Sequence, residues 1–508
     1  MLNRCGRVGD LIVRKQINEG GVGRLGKWFS LMCATAALSG CGPSLPQFSI
    51  ELSLQTNPNH PLTALANVSV STEEGADEVA LSDIRIEINF WADDEGIPLQ
   101  NTGSEEAETP HEITLVGMRS ETEYFVQAVA TWGDDDDYTT SSSIETVTTG
   151  ELPADIPVAT AEALDPDQMS HGLTIFGIHG SDIYSVAVDE AGEVVWYYRG
   201  ELGYTEATTL RDITLLDDGN LLVLLQRYAE IITPGGQPLQ QVENNTEYTL
   251  NAHEMIMLAS GNFMSITQES TEIDGVLLRG NGVAEFDQDG ELIWYWSPFE
   301  HLDTTRFPGE QSTQVLGDGA LNWTHSNSLQ YIEDQEAIIM SLRNQNQIIK
   351  IDHATGDIIW HLGEGGDFEL ANGEWFYSQH APIWLPSGHI SVYDNGTDRP
   401  SDDKWSRGVV YELDETAMTA TQVWEYRTEH FTGHFGVVQP LDNGNWLVSA
   451  GGPNPVYADA IVYEVTPTEQ LVWSLTTTKF DDDEYDPDFY RASRIESFYP
   501  SGYRESLR

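Results

Sequence analysis

One phrase recurs along this chain from about residue 211 onward, and its recurrence leaves few architectures open. Ser378 to Gly396 reads SQHAPIWLPSGHISVYDNG: a histidine, an apolar strand from Ile383 to Leu385, a Pro-Ser-Gly turn and a returning strand from Ile390 to Tyr393. Asn251 to Ser265 (NAHEMIMLASGNFMS) and Gly433 to Ser449 (GHFGVVQPLDNGNWLVS) repeat it. Arg211 to Val223 (RDITLLDDGNLLV) carries Asp212 where the others carry histidine, and Thr324 to Ser341 keeps histidine and strands without the turn glycine. A second phrase follows each copy, a turn leading into a strand that ends in tryptophan. It ends at Trp196, Trp294, Trp360, Trp424 and Trp473, with a weaker version, ITPGGQPL, ending at Leu239.

The second phrase makes six units. Repeated small sheets that cannot bury both faces alone pack as blades around an axis. The chain is therefore expected to be all-β, with a six-bladed β-propeller over residues 171–508. Equivalent positions in successive blades lie at equal radius and height, so the start of every innermost strand points at one mouth. His253, His325, His380 and His434 hold that position in four blades, Asp212 in a fifth, and the basic stretch Arg491 to Arg494 in the sixth. A single histidine at a strand start is more often a hydrogen-bonded core or turn residue. Four in register are harder to explain that way, because an axis packs without imidazoles.

The front of the chain reads differently. Arg24 and Lys27 precede the apolar run Trp28 to Leu38, and Leu38-Ser39-Gly40-Cys41 follows. Residues 1–41 thus resemble a bacterial lipoprotein signal, with Cys41 lipidated after cleavage. The run is too short to span a bilayer. The expected location is the periplasmic side of a bacterial membrane or the cell surface, with the lipid as the only membrane contact. The competing reading is that Cys5, Cys33 and Cys41 are ordinary cysteines. After cleavage Cys41 alone would remain, which removes disulfides, cysteine nucleophiles and thiolate metal sites.

Residues 46–150 have the alternation of a small β-sandwich, as in Ile84 to Trp91 and Glu123 to Thr131. Leu115, Met118, Thr122, Tyr124 and Val126 have tyrosine-corner spacing, which resembles a fibronectin type III domain. Asp134 to Asp137 reads as a solvated hairpin tip rather than a calcium site, and residues 151–170 as a linker.

Acidic residues outnumber basic ones 82 to 24, a formal net charge of −58. Such a surface repels nucleic acid and anionic lipid, and both are excluded as partners. An anionic substrate would need a local cluster of positive donors inside this shell. The sequence leaves a homodimer open.

Taken in order, Trp323-Thr324-His325-Ser326-Asn327-Ser328, Ser341-Leu342-Arg343-Asn344-Gln345, Ser378-Gln379-His380-Ala381, Asp394-Asn395-Gly396 and Ser406-Arg407-Gly408-Val409-Val410-Tyr411 resemble the bacterial arylsulfotransferase family. The resemblance covers about His171 to Arg494. It implies transfer of a sulfuryl group from a phenolic sulfate donor to a phenol acceptor, with no nucleotide or other cofactor and no metal. It implies His380 as a transiently sulfurylated nucleophile, His325 and His253 near the phenol oxygen, and Asn327 and Arg343 holding the sulfuryl oxygens. His434 matches no family role; with Arg491 and Arg494 it is expected on the substrate-binding side. Enterobacterial members also carry a nearby cysteine pair that this chain lacks.

The residue types suit that chemistry. A neutral imidazole attacks sulfur without a strong base, and a second imidazole can protonate the leaving phenolate. Arg343 offers a fixed planar donor array and Asn327 an amide donor. His325 and Asn327, two apart, would face one side of a strand. Trp323, Trp375, Phe376 and Tyr377 are candidates either for stacking on the substrate ring or for packing blade edges.

Other readings remain beside this one. Four axial histidines can ligate iron, zinc or copper, although Arg343 would then set a permanent cation beside the metal. A quinoprotein dehydrogenase also has tryptophan-ending strands, but eight units and an acidic calcium site. A lipid-anchored propeller scaffold has no use for Arg343, Asn327 and His380 at one mouth.

Overall fold

The structure is a computed structural model. It describes residues 48–499 except 59, 73–82, 95–96, 98, 104, 107–110, 133–137, 157, 180–183, 200–209, 226–227, 243–248, 453–459 and 478–487. The signal expected over residues 1–41, its Cys41 and the tip Asp134 to Asp137 lie outside the described residues. The chain is all-β. The sole α-helix among the described residues is the four-residue turn Pro298–His301.

Two antiparallel sheets come first. Phe48–Thr56, Ala64–Thr72 and His111–Leu115 form one, and the other is centred on Ile84–Ala92 paired with Glu123–Trp132. Alternation sets their faces: Ile84, Ile86, Ile88 and Phe90, with Tyr124, Val126, Ala128 and Ala130, all point into one core. The Tyr124 hydroxyl accepts the Arg119 backbone N–H at 2.9 Å, tying strand to preceding loop.

That core does not close on itself. It continues into Trp196, Tyr198, Phe498 and Tyr499 of the following region. Polar ties reinforce the joint: the Val116 N–H donates to the Tyr499 hydroxyl at 2.7 Å, Arg119 pairs with Asp189 at 2.6 Å, and buried His60 lies 2.7 Å from the Tyr197 carbonyl while stacking on that ring. The N-terminal sheets are packed onto the rest. Alternation shows which face of a strand is buried, not how far the core extends beyond its own sheets.

Six more sheets follow among the described residues. One strand of each, Asp488–Ile495, Leu210–Leu215, Thr249–Met257, Ser326–Ile332, His380–Trp384 and Val437–Pro440 in turn, lies beside its counterpart in the next sheet. The series returns to Asp488–Ile495. The hydrophobic clusters run the same way. Met264 and Ile266 of the third sheet pack with Ile338 and Met340 of the fourth; Val448 and Tyr463 of the sixth pack with Val410 of the fifth; Val462 and Trp473 of the sixth pack with Phe176 and Val186 of the first.

The tryptophan phrase has a physical reason. Each indole N–H reaches into the turn of the next sheet: Trp196 to the Pro234 carbonyl, Trp296 to Gly356, Trp360 to the Glu415 carboxylate, Trp424 to Thr466, and Trp473 across to Glu190 of the first sheet, at 2.6 to 3.3 Å. In the weak copy, Gln240 donates to the Gln288 carbonyl at 3.4 Å instead. In the third sheet the donor is Trp296, not Trp294, whose ring sits edge-on to His353.

The chain ends also cross over. Leu173–His179 pairs antiparallel with Asp488–Ile495 from the C-terminal end, and Ala159–Ala163 pairs with Leu471–Thr477. Residues 151–170, expected as a linker, therefore contribute an edge strand to the sixth sheet. The five residues ATAEA alternate, but their apolar members are only alanines, too small and weakly hydrophobic to mark a strand.

Candidate active site

The inner strands break register where the repeated polar residues sit. The ladders shift between Leu210 and Asp212, between Leu250 and Met255 around His253, between Ser326 and Ser328, between His380 and Ile383, and opposite Tyr490 and Arg491. A bulge bends a strand and re-aims its side chains. Around it the backbone is strained: His325, Ser378, Ala381 and Phe435 hold φ of 45°, 52°, 42° and 67°, each at a cost of about 1–3 kcal/mol for a non-glycine residue. Gly436 follows Phe435 at φ 112°, and a Cβ there would lie 2.5 Å from the Tyr393 ring.

His380, His253 and His325 come together with Tyr490 between them. The His253 ring centroid is 5.1 Å from that of His325 and 5.8 Å from that of Tyr490, which is 6.1 Å from His380. His380 is 2% exposed. Its Nδ1 lies 2.6 Å from the Asn395 Oδ1, and its Nε2 accepts the Phe435 backbone N–H at 3.3 Å. The His325 Nδ1 lies 2.9 Å from the Asn322 amide nitrogen. Burial, and then the charge of Arg343, hold His380 well below the ordinary histidine value, so the ring is neutral at neutral pH.

Arg343 is buried and met by neutral oxygens. Its Nη1 donates to the Asn344 Oδ1 at 2.7 Å and the Gln311 Oε1 at 3.3 Å, and its Nη2 to the Gly433 carbonyl at 3.1 Å. Its Nε is buried with no hydrogen-bond partner. Burial lowers this guanidinium to about 10, so it still carries its charge. A cation held by amides and carbonyls, with a donor to spare, is suited to an anion.

Arg491 is placed differently from expectation. Its guanidinium lies 3.1 Å from Asp212 and 2.5 Å from Glu254 and donates to the Asn327 carbonyl at 3.2 Å. Three inner strands are thus tied to a fourth by one side chain, and the donors expected for substrate serve scaffold oxygens. Burial pushes Glu254 up to about 7 against the pull of Arg491. Arg494 is not brought to the cluster at all. It binds the Thr174 hydroxyl, the Ser170 carbonyl and Glu464, with its guanidinium over the Trp473 ring.

Asn327 is fully buried, donates its amide to the Gln379 carbonyl at 2.8 Å, and keeps its Oδ1 unpaired. His325 precedes the strand and stands at positive φ, so the one-face argument for His325 and Asn327 does not apply. His434 is half-buried, edge-on to Phe435 at 4.7 Å. The aromatics expected at the mouth pack loops instead. Trp323 stacks on Phe299, Trp375 and Phe376 surround Tyr411, and the Tyr377 hydroxyl reaches Glu364.

Phe435 and Tyr490 are the rings that face the histidines, 5.2 Å apart. Sequence reasoning gave neither a role, nor one to Asn395, although Asn395 stands in a quoted motif and Tyr490 beside Arg491. Among the described residues no three His, Cys, Asp or Glu side chains are grouped as a metal site.

Residues 159–491, more than half of the chain, match the family model for arylsulfotransferase (ASST). The chain is 30% identical over 259 residues to the arylsulfate sulfotransferase AssT of Escherichia coli, a match covering 38% of this chain and 43% of that protein. It is 29% identical over 208 residues to AssT of Lelliottia amnigena, covering 29% and 34%. The chain thus spans less than half the length of either relative. Among solved structures, a protein of unknown function from Bacteroides caccae superposes with TM-score 0.44 at 13% identity, over 65% of this chain and all of that one.

Proposed function

The chain belongs to the arylsulfotransferase family, and we propose that it moves a sulfuryl group from a phenolic sulfate ester to another phenol, with His380 as the covalent carrier. The observation that carries this reading is the placement of His380: a buried, neutral imidazole with His253, His325 and the partly unpaired Arg343 gathered around it.

In the first half, the His380 lone pair attacks sulfur. The bond from sulfur to the aryl oxygen breaks, the electron pair leaves with the phenolate, and His325 or His253 supplies the proton. Arg343 meets the charge on the sulfuryl oxygens, and no nucleotide is required. The acceptor phenol then enters, gives its proton to the same pair of imidazoles and takes the sulfuryl group from nitrogen. Phe435 and Tyr490 offer ring faces and edges for the aryl group.

The six sheets are read as the blades of one propeller, supported by the cyclic order of their inner strands and tryptophan bonds. The N-terminal sheets are read as a fibronectin type III-like sandwich, supported by the Tyr124 corner. Lipidation at Cys41 is proposed to hold the enzyme at the periplasmic side of a membrane or the cell surface.

The deciding experiment follows transfer from p-nitrophenyl sulfate to phenol. Initial rates should give parallel double-reciprocal lines, and donor alone should release a burst of one nitrophenol per enzyme. The peptide bearing His380, quenched at alkaline pH, should gain the mass of a sulfuryl group, and His380→Asn should abolish both signals. Intersecting lines with no mass gain on that peptide would mean direct transfer between two bound phenols.

A further inference from the structure

The sequence motif Asp394-Asn395-Gly396 has no role in the chemistry above, and its central residue makes the closest polar contact of the His380 ring. We propose that Asn395 is a positioning residue that fixes the proton of His380 on Nδ1 and so presents Nε2 as the attacking atom; this rests on the reading of His380 as the nucleophile.

The geometry settles which end of the amide faces the ring. The Asn395 Nδ2 donates to two main-chain carbonyls, those of Thr432 at 2.8 Å and Phe435 at 2.9 Å. Turning the amide over would set its oxygen against both carbonyls, so its Oδ1 must be the atom 2.6 Å from the His380 Nδ1. A carbonyl oxygen only accepts, and Nδ1 therefore carries the hydrogen. In a neutral imidazole the lone pair is then on Nε2, which agrees with its accepting the Phe435 N–H at 3.3 Å.

Asn395 is itself held. It is fully buried, and its main-chain carbonyl accepts from the Ser406 hydroxyl at 2.8 Å. The residue before it, Asp394, is gripped by Arg399 at 2.5 Å and Arg407 at 3.0 Å. The same amide anchors the Thr432–Phe435 turn, so one side chain orients both the ring and the backbone N–H opposite it.

The neutrality of the acceptor matters in the second half of the reaction. When sulfur bonds to Nε2, the ring keeps its Nδ1 hydrogen and becomes a cation. An amide oxygen stabilises that N–H without taking the proton, so Nε2 remains a good leaving group when the acceptor phenol attacks. A carboxylate in this place would hold the cation more tightly and favour the sulfurylated enzyme.

The test has two arms. In protein labelled with ¹⁵N-histidine, the signals of His380, assigned by their loss in His380→Asn, should show a protonated Nδ1 and an unprotonated Nε2 in the resting enzyme. A protonated Nε2 overturns the proposal whether or not the protein transfers sulfate. In the second arm, Asn395→Ala should lower kcat/KM by up to about 10⁴-fold, the loss known for a catalytic histidine in the wrong tautomer. It should also move the acid limb of the pH profile down, because a bond that favours the ring proton is lost. Asn395→Asp should move that limb up, since an anion beside Nδ1 favours the imidazolium.

Arg343, His325, His253 and Tyr490 are the charged or titratable groups around His380, and both variants leave them in place. Opposite displacement of the limb is therefore specific to position 395. Limbs coincident with wild type in both variants overturn the proposal, and if Asn395→Ala does not fold, the Asp variant alone decides. A wild type lacking both burst and His380 label refutes the nucleophile reading instead, leaving the labelled spectrum to judge the tautomer.

Discussion

Arg343 and Arg491 are both buried arginines near one cluster of histidines, and their surroundings give them opposite roles. The hydrogen bonds of Arg343 go to neutral oxygens, while Arg491 is closed in by two carboxylates and a carbonyl. Arg343→Ala should lower kcat/KM for sulfuryl transfer by about 10²-fold to 10³-fold, the usual loss for one charge-stabilising donor. Arg491→Met should instead cost about 3–5 kcal/mol of stability, because it strands two buried acids, read as a fall in the denaturation midpoint. The repeat made His253, His325 and His380 legible, since a repeated position fixes radius and height. It could not show which oxygens a side chain at that position would meet, which is why Arg491 and Arg494 were expected on the substrate-binding side although their bonds go to scaffold oxygens. His380 also sets a pH expectation. As the proposed nucleophile it would attack only when neutral, and burial and Arg343 depress its proton affinity, so the acid limb of kcat/KM should lie below 6.5. A limb above that value would contradict its burial.

At the scale of the element, the tryptophans act as bolts between sheets. Trp473→Phe keeps the ring but removes the N–H, leaving the Glu190 carbonyl without its donor. The expected cost is about 1–3 kcal/mol, seen as a lower denaturant midpoint. Gln240→Ala should cost much less, because its bond is 3.4 Å long and exposed. Turn chemistry and strand periodicity are local, so the phrases could be read directly. The choice of Trp296 over Trp294 was not readable: both stand on one face of the run LIWYW, and the acceptor belongs to the next sheet. The strand Ala159–Ala163 was missed for a related reason, since its pairing partner lies at the far end of the chain.

For the whole molecule, the joint between the N-terminal sheets and the rest is a stability element. Deleting residues 48–150 would uncover Trp196, Tyr198, Phe498 and Tyr499, and the truncated protein should aggregate where the full chain stays monodisperse by size-exclusion chromatography. His60 makes the joint sensitive to acid. Burial lowers its proton affinity below the ordinary 6.5. The unfolded chain therefore takes up a proton first as pH falls, and the stability present above about 6.5 is lost below it. His60→Phe, which retains the stack on Tyr197, should flatten the melting temperature between pH 7 and 5 relative to wild type.

The crossing of the chain ends bears on how such a molecule is made. Leu173–His179 emerges during synthesis long before one of its neighbours, Asp488–Ile495. Until that strand arrives the first sheet has a bare edge, and the cyclic series of inner strands lacks one member. A nascent polypeptide in that state has not yet locked. Loss of that strand to a stop codon or a protease would leave the same edge open to pairing with other chains.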